Sequence, residues 1–408
     1  METVTKPKLY GAFAVFIAAI LLLVFIAAPI QEALGLWGLF LTEVMLAACG
    51  ILPVYIFGYK LRDVVPFRRP MLRQVFGVLL LWIGALLVGY LGGFVTMLIF
   101  PSDMAELGKA LSDFMTDGPI LPALFATAVM PALCEETLCR GFIQYSLGGL
   151  KRKWLVVLIV GVLFGIFHLS YLRFLPTMVL GFALAYIMAE TQNILLPMLL
   201  HFVNNAVSVS FSYAVSGAQN AVDAATMSSA AVVGVGVILF LCAVAPWLII
   251  AGSRLLRTKE ANREKPLKNK HYIAAGIISA FCIIGGIAVT VVGAGTLLGD
   301  MQVLNVSYTE TVSSQTEEAD TYPVVIDTDG TYQLTFAVSP GSGADGSTSF
   351  KLTRADGTVF LDEASGKTLT NTQVQLPAGD YELSCVYDYQ NKEPADIQVS
   401  IVILKVPS

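Results

Sequence analysis

Pro122–Phe142 reads PALFATAVMPALCEETLCRGF, an apolar stretch long enough for a membrane helix but interrupted by two adjacent carboxylates, Glu135 and Glu136. An ionisable side chain near the bilayer centre costs at least about 2.5–3.5 kcal/mol on the most lenient scales, so two in succession require partners, water or a function. Arg140 lies four residues after Glu136, the favourable order for an acid and a base on one helix face. Glu136 thus has a partner within its own helix. Glu135 projects about 100° around the helix from Glu136, and its own i+4 neighbour is Cys139. Glu135 is therefore the carboxylate available for chemistry.

The flanking sequence sets the environment. The chain is 56% hydrophobic and 13% charged with mean hydropathy +0.72, which excludes an ordinary soluble domain and points to a polytopic membrane protein. Apolar runs of about 18 residues or more begin near Leu9, Leu36, Val75, Ile120, Trp154, Phe174, Ile194, Ala230 and Tyr272. These are nine candidate spans, of which the fifth and sixth are short. The first run, Leu9 to Ile30, exceeds the apolar core of about 7–15 residues found in a signal peptide and reads as a retained helix.

Loop charges orient the bundle, because cytoplasmic loops near span ends carry excess Lys and Arg. Lys6 and Lys8, then Lys60, Arg62, Arg68, Arg69 and Arg73, then Lys151, Arg152 and Lys153 all fall on one side. The dense set Arg254, Arg257, Lys259, Arg263, Lys265, Lys268 and Lys270 joins them. An alternate loop instead holds Asp103, Glu106, Asp113 and Asp117 against Lys109 alone. Nine spans with a cytoplasmic N-terminus place the residues after about Leu298 outside, in a multi-pass protein of the plasma membrane.

That tail differs in kind. From Asp300 to Ser408 there are 16 acidic and 5 basic residues, an imbalance that suits an exterior domain. Apolar residues alternate at Tyr332, Leu334, Phe336 and Val338, at Tyr381, Leu383 and Cys385, and at Ile397, Val399, Ile401 and Ile403, the period of half-buried strands. Asp329-Gly330, Asp356-Gly357 and Pro377-Ala378-Gly379 supply turns. About seven short strands at this spacing predict a β-sandwich. Of the six cysteines only Cys385 lies in this tail, so no disulfide forms within it, and none of the six has C-x-x-C spacing. No chemical motif stands out there, and no nucleic-acid partner is expected.

Only three histidines occur, and His168 and His201 lie in or at the end of apolar spans, whereas His271 sits beside lysines in a loop. Asn205 follows His201 at i+4 and shares its helix face, while Asn204 is turned away. A lone His or Asn in a membrane helix often only hydrogen-bonds a neighbouring helix, Glu136 with Arg140 reads as a structural pair, and Glu43 and Glu190 read as packing and interfacial groups. The coincidence outweighs these readings: Glu-Glu-x-x-x-Arg, Phe-x-x-x-His and His-x-x-x-Asn come in order on consecutive helices.

At these residues, Glu135-Glu136-Thr137-Leu138-Cys139-Arg140, Phe164-Gly165-Ile166-Phe167-His168 and His201-Phe202-Val203-Asn204-Asn205, the sequence resembles the CPBP family. These are CAAX-processing and bacteriocin-processing intramembrane proteases related to the type II prenyl protease, and the resemblance spans roughly Ile120 to Ser210. It implies an intramembrane endopeptidase acting on a membrane-associated peptide, prenylated or bacteriocin-like, with Glu135, Glu136, Arg140, His168, His201 and Asn205 as its site. Peptide hydrolysis needs an activated water, an oxyanion stabiliser and a proton for the leaving amine. Glu135 is the expected base, His168 holds the water, and His201 with Asn205 donates to the oxyanion. No cofactor is favoured, although Glu135, His168 and His201 are also ligand types for zinc. The organisation expected is 1–119 with helices 1–3, 120–213 as the protease core with helices 4–7, 214–298 with helices 8 and 9, and 299–408 as an extracytoplasmic β-domain that binds an external protein partner. The competing readings are a non-catalytic immunity or sensor protein and a proton-coupled transporter.

Overall fold

The computed structural model describes residues 8–116, 118–150, 152–215, 224–258, 262, 268–313, 319–365, 370–391 and 393–406. Of the charges used to orient the bundle, Lys6, Asp117, Lys151, Lys259, Arg263 and Lys265 lie outside the described residues. The chain divides into a helical unit built from Met1–Gln219 and Ala231–Val292 and a β unit built chiefly from Gly293–Ser408.

In the helical unit, α1 spans Leu9–Leu34, α2 Leu36–Ile56, α3 Leu72–Ile99, α5 Ile120–Gly149, α7 Phe174–Thr191, α8 Leu195–Ala214, α9 Val232–Leu256 and α10 Asn269–Thr296. All eight are long and apolar enough to cross a membrane, and this is a multi-pass membrane protein. Between them lie the amphipathic helix α4, Pro101–Thr116, and the shorter apolar helix α6, Lys153–Phe167. At 1.5 Å per residue α6 is only about 22 Å long, so its last turn ends inside the thickness of a bilayer. That shortness puts His168, the residue after α6, within the bundle.

The central helix is α5, 56% buried against 17–39% for the other spans. Its sequence explains the position. Small residues Ala123, Ala126, Ala128 and Ala132 let neighbours approach, and all are buried. It is also irregular, with Pro131 in its course and π-helical winding over Phe125–Val129 and Thr137–Ile143, and such π segments are frequent at functional sites. The α6–α7 contact is set by glycine: a Cβ at Gly161 would fall 1.9 Å from Cδ1 of Phe182, and one at Gly181 would fall 3.0 Å from Cα of Gly161. Any larger residue there separates the helices that carry Phe164 and the Gly181 carbonyl.

Among the described residues the β unit has eight strands: β1 Gln302–Val312, β2 Ala319–Ile326, β3 Gly330–Pro340, β4 Gly346–Arg354, β5 Val359–Ser365, β6 Thr370–Leu376, β7 Gly379–Tyr389 and β8 Ala395–Lys405. They form two antiparallel sheets of order β1-β8-β3-β6 and β2-β7-β4-β5, the jelly-roll arrangement of a double Greek key. The alternating residues face inward, and Phe336 stacks on Phe350 across the two sheets with ring centroids 4.3 Å apart. There is one strand more than the spacing suggests. β5 and β6, VFLDEAS and TNTQVQL, are edge strands with few inward apolar residues, Leu361 and Leu376 among them, and so carry a weak period-2 signal. Gly357 at φ +87° makes the β4–β5 turn, a conformation that favours glycine.

Candidate active site

Four helices contribute. α5 carries Glu135, Glu136 and Arg140, with the arginine on the π-helical turn Thr137–Ile143. α6 ends at His168, and α8 carries His201 and Asn205. α7 supplies backbone carbonyls. Glu136 is the hub: its Oε1 accepts a hydrogen bond from Arg140 Nη1 at 2.8 Å and lies 2.9 Å from His201 Nδ1. All three residues are buried, Glu136 and Arg140 completely. Arg140 also donates from Nη2 to the Gly181 carbonyl at 3.2 Å and stacks over the Phe164 ring, 4.2 Å from its centroid. One guanidinium thus ties α5 to α6 and α7 while Glu136 ties α5 to α8. Breaking a buried pair of this kind by removing one partner is strongly destabilising.

The two imidazoles are held differently. His168 Nδ1 lies 2.9 Å from the Phe164 carbonyl; a carbonyl only accepts, so in the neutral ring Nδ1 carries the proton and Nε2 keeps a free lone pair. His201 Nδ1 faces the Glu136 carboxylate, which likewise leaves Nε2 as its working nitrogen. Both rings pack edge-on against Phe164, with centroid separations of 4.9 Å for His168 and 5.8 Å for His201. Leu169, immediately after His168, adopts φ +51°, a left-handed conformation uncommon for a leucine, and strained backbone of this sort clusters at functional sites.

Helix arithmetic alone sets the two histidines at different depths: by rise per residue, His168 is about 20 Å along its span and His201 about 10 Å along its own. Both imidazoles nevertheless reach the Phe164 ring, and the described residues around Tyr145–Trp154 are largely helical. There α5 continues helically to Gly149 and α6 starts at Lys153. The start of α8 is pinned by Asn193, which donates from Nδ2 to Arg68 O and accepts at Oδ1 from Arg68 N, and by Ile194 N bonding Pro66 O.

Glu135 is 8% exposed, and its Oε2 has no hydrogen-bond partner among the described residues. No hydrogen bond joins it to His168, His201 or Asn205 among those residues, although His201, Arg140 and Arg173 act on it electrostatically. Asn205 is engaged: Nδ2 donates to the Thr127 carbonyl at 3.0 Å, and Oδ1 accepts from Asn204 Nδ2 at 3.2 Å. Asn204 in turn accepts from Trp82 Nε1 at 3.4 Å, so it braces Asn205. Among the described residues no three His, Cys, Asp or Glu side chains are grouped to hold a metal ion.

Sequence reasoning passed over two groups near Glu135. Glu43 on α2 reads as packing, yet its carboxyl interacts electrostatically with that of Glu135. Arg173, between α6 and α7, also senses Glu135. The available signal for Glu43 was its place in an otherwise apolar span.

The comparisons bear on the same helices. Residues 117–207 match the family described as type II CAAX prenyl endopeptidase, Rce1-like. The core segment is similar to the Rce1-like family. This agrees with the resemblance to the CPBP intramembrane proteases, and it supports a CAAX-type intramembrane endopeptidase at family level. The Rce1-like segment includes α5, α6, α7 and the part of α8 with His201 and Asn205. No curated protein has a significant match to the chain. Among solved structures, a carbohydrate-binding module (CBM6cm-2) from Cellvibrio mixtus lichenase 5A, in complex with cellotriose, is 18% identical. The match covers 26% of this chain and 100% of the module, with a TM-score of 0.20, and at that score it bears on neither fold nor ligand here.

Proposed function

We propose that this protein hydrolyses a peptide bond in a membrane-associated peptide by a water that Glu135 activates. The observation that carries the reading is the division of labour in the carboxylate pair: Oε1 of Glu136 is occupied by Arg140 and His201, while Glu135 forms no ion pair among the described residues, and each carboxyl keeps a buried Oε2 without a partner. Water held against the free Nε2 of His168 loses a proton to Glu135, and the resulting hydroxide adds to the peptide carbonyl. The oxyanion receives hydrogen bonds from His201 and from the second N–H of Asn205. Collapse of the tetrahedral intermediate expels the amine, which takes the proton back from Glu135. Glu136 and Arg140 position His201 and do not touch the substrate.

The substrates are short peptides anchored by a lipid or an apolar segment, of the prenylated or bacteriocin-leader kind. No metal takes part in this scheme: a chelator leaves the rate of the purified protein unchanged, and a loss restored by zinc would overturn the carboxylate route. In the same reading the N-terminus is cytoplasmic, and the β unit lies outside and engages a protein partner there. The decisive experiment compares peptidomes of cells carrying the wild type and Glu135→Gln. Peptides shortened only by the wild type are the expected result; identical peptidomes remove the protease.

A further inference from the structure

The buried charged group without a use in this scheme is Glu43. It is 2% exposed, its Oε2 has no hydrogen-bond partner, and no Lys or Arg forms an ion pair with it among the described residues. An unsatisfied carboxyl inside an apolar helix calls for a reason. Its helix, α2, lies directly against α5: a Cβ at Gly50 would meet Leu138 N and Cα at 2.9 Å. Gly50 follows Glu43 by seven residues, about two turns on the same face, so Glu43 lies on the face of α2 that meets α5. The groups that act on these carboxyls are known: Glu135 on Glu43, and His201, Glu136, Arg140 and Arg173 on Glu135. Cys134 lies within range of both.

Two neighbouring carboxyls shielded from water repel strongly when both are ionised. Each here also has an oxygen in want of a hydrogen-bond partner. A single proton answers both problems, because an un-ionised carboxylic acid is a donor and an ionised one is an acceptor. Enzymes use neutral buried carboxylic acids in this capacity. We infer that Glu43 is a neutral carboxylic acid that donates a hydrogen bond to the Glu135 carboxylate and fixes its orientation for water activation. Glu43 is then a positioning residue, and its influence on catalysis rests on the reading of Glu135 as the base.

Two measurements on purified full-length protein in lipid nanodiscs test this. Infrared difference spectra between wild type and Glu43→Gln lose the carbonyl band of a protonated buried carboxyl; the absence of that loss overturns the inference whatever the enzyme does. Turnover is then followed on a peptide that the wild type cuts and Glu135→Gln leaves intact. Glu43→Gln, whose amide still donates, keeps most of the rate. Glu43→Leu, which cannot donate, loses about 10–100-fold in kcat, as supporting partners of functional groups typically do, with KM unchanged. Glu43→Leu turning over like the wild type sinks this inference alone. Activity that survives in Glu135→Gln sinks the proposed function instead, while the infrared result still stands on its own.

Discussion

The helical unit and the β unit solve the burial problem in opposite ways. In the β unit, apolar side chains point inward and the buried polar residues are few, Thr348 and Asn391 among the described ones. In the helical unit large apolar side chains point outward, Phe25, Trp37 and Phe281 each being more than 70% exposed, while Glu43, Glu135, Glu136, Arg140, Gln144 and His201 are inside. Lipid offers no hydrophobic reward for packing apolar side chains together, so helices meet through small residues and polar contacts. A buried polar group is therefore expected in the first unit wherever helices converge, and is exceptional in the second. What singles out the candidate site is not polarity alone: unpartnered buried oxygens occur on Gln144, Ser146 and Tyr272 as well, but only on Glu43, Glu135 and Glu136 do they belong to carboxyls among the described residues.

Four experiments break or sharpen this contrast, from the largest effect to the smallest. Glu135→Gln lowers peptide cleavage by about 10²–10⁴-fold, the usual worth of a general base, without lowering the melting temperature, and a melting point well below wild type would make Glu135 a structural group. Arg140→Ala destabilises the helical unit by about 3–5 kcal/mol, because Glu136 is left buried and unpaired. Thermal unfolding in detergent reads this, and the double variant Glu136→Gln with Arg140→Met is expected to recover part of it. In the β unit Ile401→Val costs about 0.5–1.5 kcal/mol, read by hydrogen exchange in β8, with no change in cleavage; a loss of activity would couple the units. Finally, burial pushes the Cys385 thiol up to about 11. Its thiolate is scarce at pH 8 and grows only as pH rises through that value, so maleimide labels Cys385 slowly in the folded protein and quickly after denaturation. Equal rates would mean an open β core.

Much of the fold was legible because two periods and one length rule are strong signals. The nine apolar runs begin within a few residues of the helices, and the short fifth run is the short helix α6. The inward residues of β3, β7 and β8 follow from alternation. The jelly-roll order did not, since pairing of β1 with β8 and β2 with β7 joins strands distant in sequence. In the site, the Glu136–Arg140 pair is a local i+4 contact and was readable. The His201–Glu136 contact spans 65 residues and was not, so His201 was assigned only to the oxyanion when it is also the ligand of the buried hub. Asn204 lies off the His201–Asn205 face on a helical wheel, and what the wheel does not show is that it takes a hydrogen bond from Trp82 on α3 and gives one to Asn205.

By itself the sequence determined that this is a multi-pass helical protein with a β-domain, and that one of two adjacent carboxylates has a partner in its own helix. These are properties of spacing, and spacing survives in any fold that keeps the helices. Tertiary structure alone decided which groups surround the other carboxylate. It brought Glu43 from α2, Arg173 from the loop before α7 and the two histidines around Phe164, because close helix approach at glycines and a shared aromatic ring set distances that no repeat along the chain encodes.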